Sequence, residues 1–245
     1  MSPKRLIAST VVAGLLAIAL LSLSASASGI YPGGTTGNDI GYPQCGNGYP
    51  AFQSFGLVGV TAGRAFTHNS CLASEFGWAN SVATPASLYM NINGAFGSTA
   101  PKGNSGPAGT CRRGDKSCIA YNYGYNAASD SYTWAWSQGA SAQQWWLDVE
   151  TANSWWPQAS LNQRVIQGAL DFFAQKGLVL GIYSTNYQWH SLMGAYSPGL
   201  PVWYATAADQ TTASSYCSSA FNFAGGGVWL VQYIANGSDA DYACP

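Results

Sequence analysis

Short apolar runs alternate with turn-forming residues along most of this chain. Runs of roughly four to eight apolar, β-branched or aromatic residues between turn formers are typical of buried strands. They also lack the strict apolar–polar alternation of strands that face water on one side. The pattern predicts six strands, at 55–60, 87–91, 145–149, 178–183, 201–205 and 227–233.

A helical pattern follows the third of these strands and covers residues 161–176. Apolar residues recur at every fourth position from Leu161 to Phe173 and form one stripe. Ser160 and Gln163 have the spacing of a capping box, and a Lys-Gly pair supplies the stop signal. We therefore predict an amphipathic helix with Ser160 at its N-cap.

The strands on either side of this helix imply two parallel strands joined by a right-handed crossover. A second, shorter helix is predicted at 71–80, ahead of the strand at 87–91. Strands and helices that alternate over about 200 residues indicate an α/β fold, either a (β/α) barrel or a doubly wound sheet.

The N-terminal segment has the layout of a secretory signal peptide. Two basic residues precede an uncharged apolar run over 6–23, and Ala25-Ser26-Ala27 fits a small-residue cleavage site. We expect residues 1–27 to be removed and 28–245 to form a single secreted, extracellular domain. An uncleaved anchor is the alternative, because the run is long enough to span a bilayer. No later segment is, so no membrane contact is expected after cleavage.

Charge and cysteine content narrow the class of protein further. Residues 28–245 keep seven of the nine basic residues and all ten acidic ones, a net charge of about −3, which argues against nucleic acid as a partner. An even number of cysteines behind an export signal indicates disulfides. Fifteen pairings of six cysteines are possible, and nearness in sequence favours Cys45–Cys71, Cys111–Cys118 and Cys217–Cys244.

Neither a metal nor a cofactor is expected. The chain has no C-x-x-C and only two histidines, His68 and His190, which is a poor ligand set for zinc. No glycine-rich dinucleotide or phosphate motif follows a predicted strand.

Two carboxylates stand out because charged residues are rare here, at 8% of the chain. Asp148 and Glu150 lie among four tryptophans within 143–156. Residues i and i+2 of a strand share one face, with Cα atoms about 6.5–7 Å apart. This strand end would open at the catalytic mouth of a barrel. Paired carboxyls in an apolar setting suit glycoside hydrolysis, whereas a solvated face or a calcium site is the alternative.

Several segments, taken in order, resemble the glycoside hydrolase family 25 lysozymes, in a divergent version of the type found in secreted actinobacterial proteins. The family has Asp-Val-Ser-x-x-Gln on its first strand, Asp-x-Glu at the end of a central strand, and Asp-x-Asn near its end. The similar segments here are Asn38-Asp-Ile-Gly-Tyr-Pro-Gln44, Leu147-Asp-Val-Glu150, Ile182-Tyr-Ser184, Val202-Trp-Tyr-Ala205, Trp229-Leu-Val-Gln-Tyr233 and Asp239-Ala-Asp241.

The resemblance implies a single-domain, modified TIM-like (β/α) barrel, monomeric, that cleaves peptidoglycan between N-acetylmuramic acid and N-acetylglucosamine. It makes Glu150 the general acid/base. It also makes Asp148 the group that orients the 2-acetamido substituent of the substrate. Asp39 and Asp239 would complete an acidic floor. The sugar-binding wall would comprise Tyr89, Tyr183, Trp203 and Gln232.

The chain also departs from the family pattern. Gly41 stands where the family has Ser, Thr61-Ala-Gly-Arg64 replaces a Lys-rich stretch, and Asp241 replaces Asn. Residues 96–134 are interpreted as a long insertion, with an exposed excursion at 99–109. Two alternatives to hydrolysis remain open: a non-catalytic binder of cell-wall or other glycan on the same barrel, and a secreted interaction protein whose acids serve stability.

Overall fold

The computed structural model describes residues 29–51 and 53–245, so the predicted signal peptide at 1–27 lies outside the described residues. The strands are β1 (Thr36–Ile40), β2 (Gly56–Gly59), β3 (Ser87–Asn91), β4 (Ser105–Gly106), β5 (Gly109–Thr110), β6 (Gln144–Asp148), β7 (Val179–Ser184), β8 (Leu200–Ala207), β9 (Gly225–Ala235) and β10 (Ser238–Ala243). The helices are α1 (Leu72–Ala79), α2 (Lys116–Ser137), α3 (Ala159–Gln175), α4 (Asn186–Met193) and α5 (Gln210–Ser215).

Eight strands close into a barrel in the order β1-β10-β9-β8-β7-β6-β3-β2. Seven of them run parallel from β1 through β9, and β10 is antiparallel to both of its neighbours. A two-residue turn, Asn236-Gly237, joins β9 to β10, and both turn residues have positive φ, 52° and 76°. This is the φ signature of the type I′ turn that suits a hairpin. The predicted single-domain α/β barrel is therefore confirmed, and the doubly wound sheet is excluded.

The six predicted strands are all present, with ends that differ by at most two residues. The helices predicted at 161–176 and 71–80 correspond to α3 and α1. The capping box was wrong, because Gln158 is the N-cap of α3 and no side chain caps it. The Gln163 amide instead donates to the backbone carbonyl of Met193 at 2.8 Å. That long-range partner, at the end of α4, could not be seen in the local spacing.

The interpretation of 96–134 as an insertion was wrong in its second half. Parallel neighbours need a crossover connection, and α2 is the crossover helix between β3 and β6. A Cβ on Gly124 would lie 1.8 Å from the Val165 carbonyl oxygen of α3, so the two helix backbones are in contact. The buried face of α2 consists mainly of Ala, Gly and Ser, so it has no apolar stripe. Only 96–115 is an excursion, and it is mostly exposed.

Side chains alternate between two cores. Trp145 and Leu147 of β6 pack beneath the helices, whereas Trp146 faces the barrel interior. The interior core also contains Tyr31, whose hydroxyl accepts from the Trp146 indole at 2.9 Å. A Cβ on Gly181 would lie 2.2 Å from the Trp146 ring, so this glycine makes room for the indole. Tyr31 and Trp146 thus fill one end of the barrel interior, and the space beyond Trp146 opens at the other end.

Three disulfides join the cysteines in the predicted pairs, Cys45–Cys71, Cys111–Cys118 and Cys217–Cys244. The first ties the segment after β1 to the N-cap of α1, and the last ties the end of α5 to the residues after β10. Within the described part of the chain, no helix has the length and apolar character needed to cross a bilayer.

Candidate active site

A cavity of about 190 Å³ lies at the carboxyl end of the parallel strands. In α/β barrels this end carries the catalytic residues. All eight candidate residues chosen from the sequence line this cavity: Asp39, Tyr89, Asp148, Glu150, Tyr183, Trp203, Gln232 and Asp239. The structure therefore brings the whole predicted set together.

Strand periodicity explains why these residues meet. Asp148 is two positions after the inward-facing Trp146, so its side chain also faces the barrel interior. Asp148 is the last residue of β6 and is 8% exposed. Glu150 follows just beyond the strand end and is only partly buried. The pair thus places one carboxyl in the floor of the cavity and the other at its rim.

Asp148 is held by an amide from the neighbouring strand. Asn91 lies opposite it in the β3–β6 register and donates from Nδ2 to Asp148 Oδ2. Asn91 is itself fixed by Thr61, whose hydroxyl donates to Asn91 Oδ1 at 2.6 Å. The other oxygen, Oδ1 of Asp148, is buried and has no hydrogen-bond partner among the described residues. Burial, followed by the charges of Glu150 and Asp39, raises the pKa of Asp148 well above its usual value.

Glu150 occupies a turn that a tryptophan fixes. The indole of Trp155 donates to the backbone carbonyl of Glu150 at 2.9 Å, while the carboxyl group remains at the cavity. Partial burial raises the pKa of Glu150. A carboxylic acid that has a raised pKa and faces a cavity is suited to protonate a leaving group.

A chain of hydrogen bonds crosses the opposite wall. The Tyr183 hydroxyl donates to Gln232 Oε1 at 2.7 Å, and Gln232 Nε2 donates to Asp39 Oδ2 at 2.9 Å. Burial and the nearby charge of Asp239 raise the pKa of Asp39 to about 7. Gln232 therefore orients Asp39, and its hydrogen bond opposes part of the rise in pKa that burial causes.

Asp241 is a site residue that the sequence did not identify. It is fully buried, and its Oδ1 accepts from the Trp203 indole at 2.8 Å. Its Oδ2 is buried without a hydrogen-bond partner among the described residues, and burial, followed by the charge of Asp39, raises its pKa well above the usual value. A signal was present, because Asp241 is two residues after Asp239 on one strand and so shares its face.

Trp203 and Tyr89 lie in the floor of the cavity and do not form an exposed wall. Trp203 is 1% exposed and its ring meets Tyr89 edge-on, with centroids 5.8 Å apart. A Cβ on Gly41 would lie 2.6 Å from the Tyr89 hydroxyl. Gly41, which stands where the family has serine, thus leaves room for the Tyr89 hydroxyl.

Acidic side chains cluster at this end of the barrel, and the lining of the cavity includes no basic side chain. Five of the ten acidic residues are here, namely Asp39, Asp148, Glu150, Asp239 and Asp241. The only ion pair within residues 29–51 and 53–245 joins His68 to Asp130, outside the cavity. No group of His, Cys, Asp and Glu in those residues is arranged to hold a metal. Buried carboxyls with no cation beside them are favoured in the neutral form.

Known proteins share this fold and parts of this sequence. The family model for lysozyme-like protein 1 matches residues 116–234. A family GH25 lysozyme from Aspergillus fumigatus superposes with a TM-score of 0.55 at 12% identity, over 86% of this chain and 94% of that one. The bacterial lysozyme from Streptomyces coelicolor gives 0.54 at 14% identity, over 86% and 92%.

Curated relatives from Dictyostelium discoideum match over shorter stretches. Counting factor 50 is 31% identical over 106 residues, which cover 41% of this chain and 33% of that protein. Probable GH family 25 lysozyme 3 is 30% identical over 83 residues, 33% of this chain and 17% of that protein. The chain therefore spans about a third of the first relative's length and less of the second. These matches show that the chain is similar to lysozyme-like proteins in sequence and shares the fold of glycoside hydrolase family 25 lysozymes.

Proposed function

We propose that this chain is an exported glycoside hydrolase that cleaves an amino-sugar glycan, with peptidoglycan as its substrate in the manner of a muramidase. The observation that carries the proposal is the pairing in one cavity of Glu150, at the rim with a raised pKa, and Asp148, in the floor with one unpartnered oxygen. The N-terminal signal pattern and the three disulfides support export.

In this mechanism Glu150 donates its proton to the glycosidic oxygen as the bond to the leaving sugar breaks. Asp148 Oδ1 accepts the N–H of the 2-acetamido group, and the acetamido oxygen attacks the anomeric carbon. Substrate-assisted hydrolysis of this kind is a known variant of the two-carboxylate scheme. Glu150, now ionised, then takes a proton from the water that opens the intermediate.

The small volume of the cavity limits what enters it. Most ligand pockets measure roughly 300–1,000 Å³, whereas this one measures about 190 Å³. We propose that it receives one face of a single sugar with its acetamido group, while the rest of the glycan lies across the mouth. Tyr42 and Tyr187, which are 49% and 78% exposed, are the large side chains free to meet such a glycan outside the cavity.

A second candidate function is glycan binding without turnover. Two of the curated relatives carry the name counting factor, which states no hydrolytic activity. Gly41 and Thr61-Ala-Gly-Arg64 replace residues of the family pattern next to the cavity. In this reading the same acids would orient a bound sugar through hydrogen bonds, and no bond would break.

The deciding experiment measures reducing-sugar release from purified peptidoglycan, and from chitin oligomers, by residues 28–245 and by Glu150→Gln. A general acid/base contributes about 10²- to 10⁴-fold, so we expect release by the wild type and a loss of at least about 100-fold in the variant. Asp171→Asn, on the outer helix α3, is the matched control and should keep full activity. Undiminished release by folded Glu150→Gln would reject the mechanism. Binding by both proteins with release by neither would establish the second candidate.

A further inference from the structure

A larger hollow adjoins the acidic cavity at the same end of the barrel. It measures about 520 Å³ and is formed by the loops that follow β2, β3 and β6. We call it the basic groove; its lining includes Arg64, Phe66, Asn93, Phe96, Thr99 and Ser154. Part of its wall comes from the excursion at 96–115, which the family pattern lacks.

The residues between the two hollows are continuous. Thr61 precedes the lining residue Ala62 and hydrogen-bonds to Asn91, which in turn holds Asp148. Asn93, two residues after Asn91, lines the groove. A glycan whose scissile sugar enters the acidic cavity therefore passes the basic groove if it extends toward the β2–β3 side.

Three exposed cations lie in or near the groove, and within residues 29–51 and 53–245 no ion pair joins any of them to an acid. Arg64 lines the groove directly. Lys102 Nζ lies 5.5 Å from the ring centroid of Phe66, and Lys102 also lines a second hollow together with Asp130. Lys116 Nζ lies 5.4 Å from the ring centroid of Trp156, which packs on Phe96 at 4.7 Å. Asp130 Oδ2 is hydrogen-bonded to His68 Nε2 at 2.9 Å.

Three of the uncharged polar side chains of the groove are hydrogen-bonded within the protein. Asn93 Nδ2 donates to the carbonyl of Gly94 at 2.8 Å. The hydroxyls of Thr67 and Thr99 donate to the carbonyls of Arg64 and Phe96, at 2.6 Å and 3.0 Å. Besides the hydroxyls of Ser98 and Ser154, the groove therefore offers a ligand positive charge and aromatic surface.

We propose that the basic groove binds an anionic substituent, a carboxylate or a phosphate, carried by the same glycan that enters the acidic cavity. The inference rests on the proposed function of that cavity. The lining of the acidic cavity includes no cation, whereas the groove has exposed cations in or near it that attract an anion. The two hollows would thus orient a substrate that has a neutral sugar and a charged branch. The branch has two chemical sources in a bacterial wall, the carboxylates of peptide stems and the phosphates of wall polymers.

The experiment measures cosedimentation of residues 28–245 with three forms of insoluble peptidoglycan: untreated, stripped of phosphate polymers with hydrofluoric acid, and stripped and then amidated at its carboxylates. The test variant is Arg64→Ala/Lys102→Ala. Lys176→Ala is the matched control, because Lys176 also lies over an aromatic ring, Tyr132 at 5.2 Å, but on the outside of the barrel.

We expect the test variant to bind untreated wall about tenfold more weakly than the wild type and with less dependence on salt, and the control to bind as the wild type does. The treatment that lowers wild-type binding to the level of the variant identifies the anion. Equal binding by variant and wild type, or equal wild-type binding to all three forms, would overturn the proposal. Sugar release from the same samples is scored separately: charge-dependent binding without release rejects hydrolysis and leaves the groove assigned.

Discussion

The Trp203 indole donates to Asp241 Oδ1 at 2.8 Å in the interior of the barrel, whereas Asp241 Oδ2 is buried and has no hydrogen-bond partner among the described residues. Burial, followed by the charge of Asp39, raises the pKa of Asp241 well above its usual value. Asp241 therefore favours the neutral form, and it stands where the family pattern has asparagine, which is also neutral.

Asp241→Asn should preserve this arrangement, because its amide oxygen can accept from the Trp203 indole and the amide carries no charge. A carboxyl with a raised pKa binds its proton more tightly when folded, so stability falls as pH rises from the unfolded pKa to the folded one. For Asp241 this window begins at 3.8, the ordinary pKa of an aspartate, and extends upward to its raised folded pKa. Above about pH 4, we expect urea unfolding of Asp241→Asn to show a shallower decline than the wild type, by up to about 1.4 kcal/mol per pH unit.

Asp241→Leu is the control for that measurement. It leaves the Trp203 indole without an acceptor, which costs about 1–3 kcal/mol. Equal stability of the Asn and Leu variants, or a pH slope unchanged in Asp241→Asn, would contradict the raised pKa of Asp241.

Asn91→Ala should weaken the protein and misplace Asp148. The substitution removes the donor to Asp148 Oδ2, and Oδ1 already has no partner, so a buried carboxyl would remain with neither oxygen bonded. We expect a loss of about 1–3 kcal/mol in urea unfolding and a lower kcat for glycan cleavage. Asn47→Ala, at an exposed position, should stay within about 0.5 kcal/mol of the wild type. An equal effect of both substitutions would show that Asn91 has no special role.

Gly41→Ser, which restores the family residue, should destabilise the barrel. The new Cβ would lie 2.6 Å from the Tyr89 hydroxyl but 3.6 Å from the ring carbon that carries it. Overpacking of this kind costs about 1–3 kcal/mol, and Tyr89→Phe removes the atom responsible. We expect the double variant to recover most of the loss in a thermal-denaturation cycle. Additive effects of the two substitutions would mean that the contact is not the cause.

Gly124→Ala should separate α2 from α3, because the added Cβ has the Val165 carbonyl oxygen at 1.8 Å and meets backbone that cannot rotate away. We expect a loss of at least about 2 kcal/mol in urea unfolding. Gly77→Ala in α1 is the matched control. Its Cβ meets nothing within 4 Å, so helix propensity alone predicts a gain of up to about 1 kcal/mol. Stability unchanged by Gly124→Ala would rule out the tight helix contact.

Local patterns were sufficient for the strands and for α3, because their apolar residues are large and recur with a clear period. The same reasoning overlooked α2. Its buried face consists mainly of small residues, which allow close approach to another helix. Such an approach cannot be predicted from a hydrophobic pattern. The capping box failed for a related reason, since a partner in α4 outweighed the local one.

The sequence by itself determined an α/β fold and placed Asp148 and Glu150 at the end of a strand, because strand periodicity and position at strand ends are local properties. The barrel and the other six residues of the cavity were expected from the resemblance to the family 25 lysozymes. Only the tertiary structure decided which carboxyl groups are buried away from water and which accept a hydrogen bond from a neighbouring side chain. It placed Asn91 against Asp148, and Trp203 against Asp241, across strands far apart in sequence. A pKa depends on burial and on neighbours in space, so the protonation states that the proposed chemistry needs exist only once the barrel has closed.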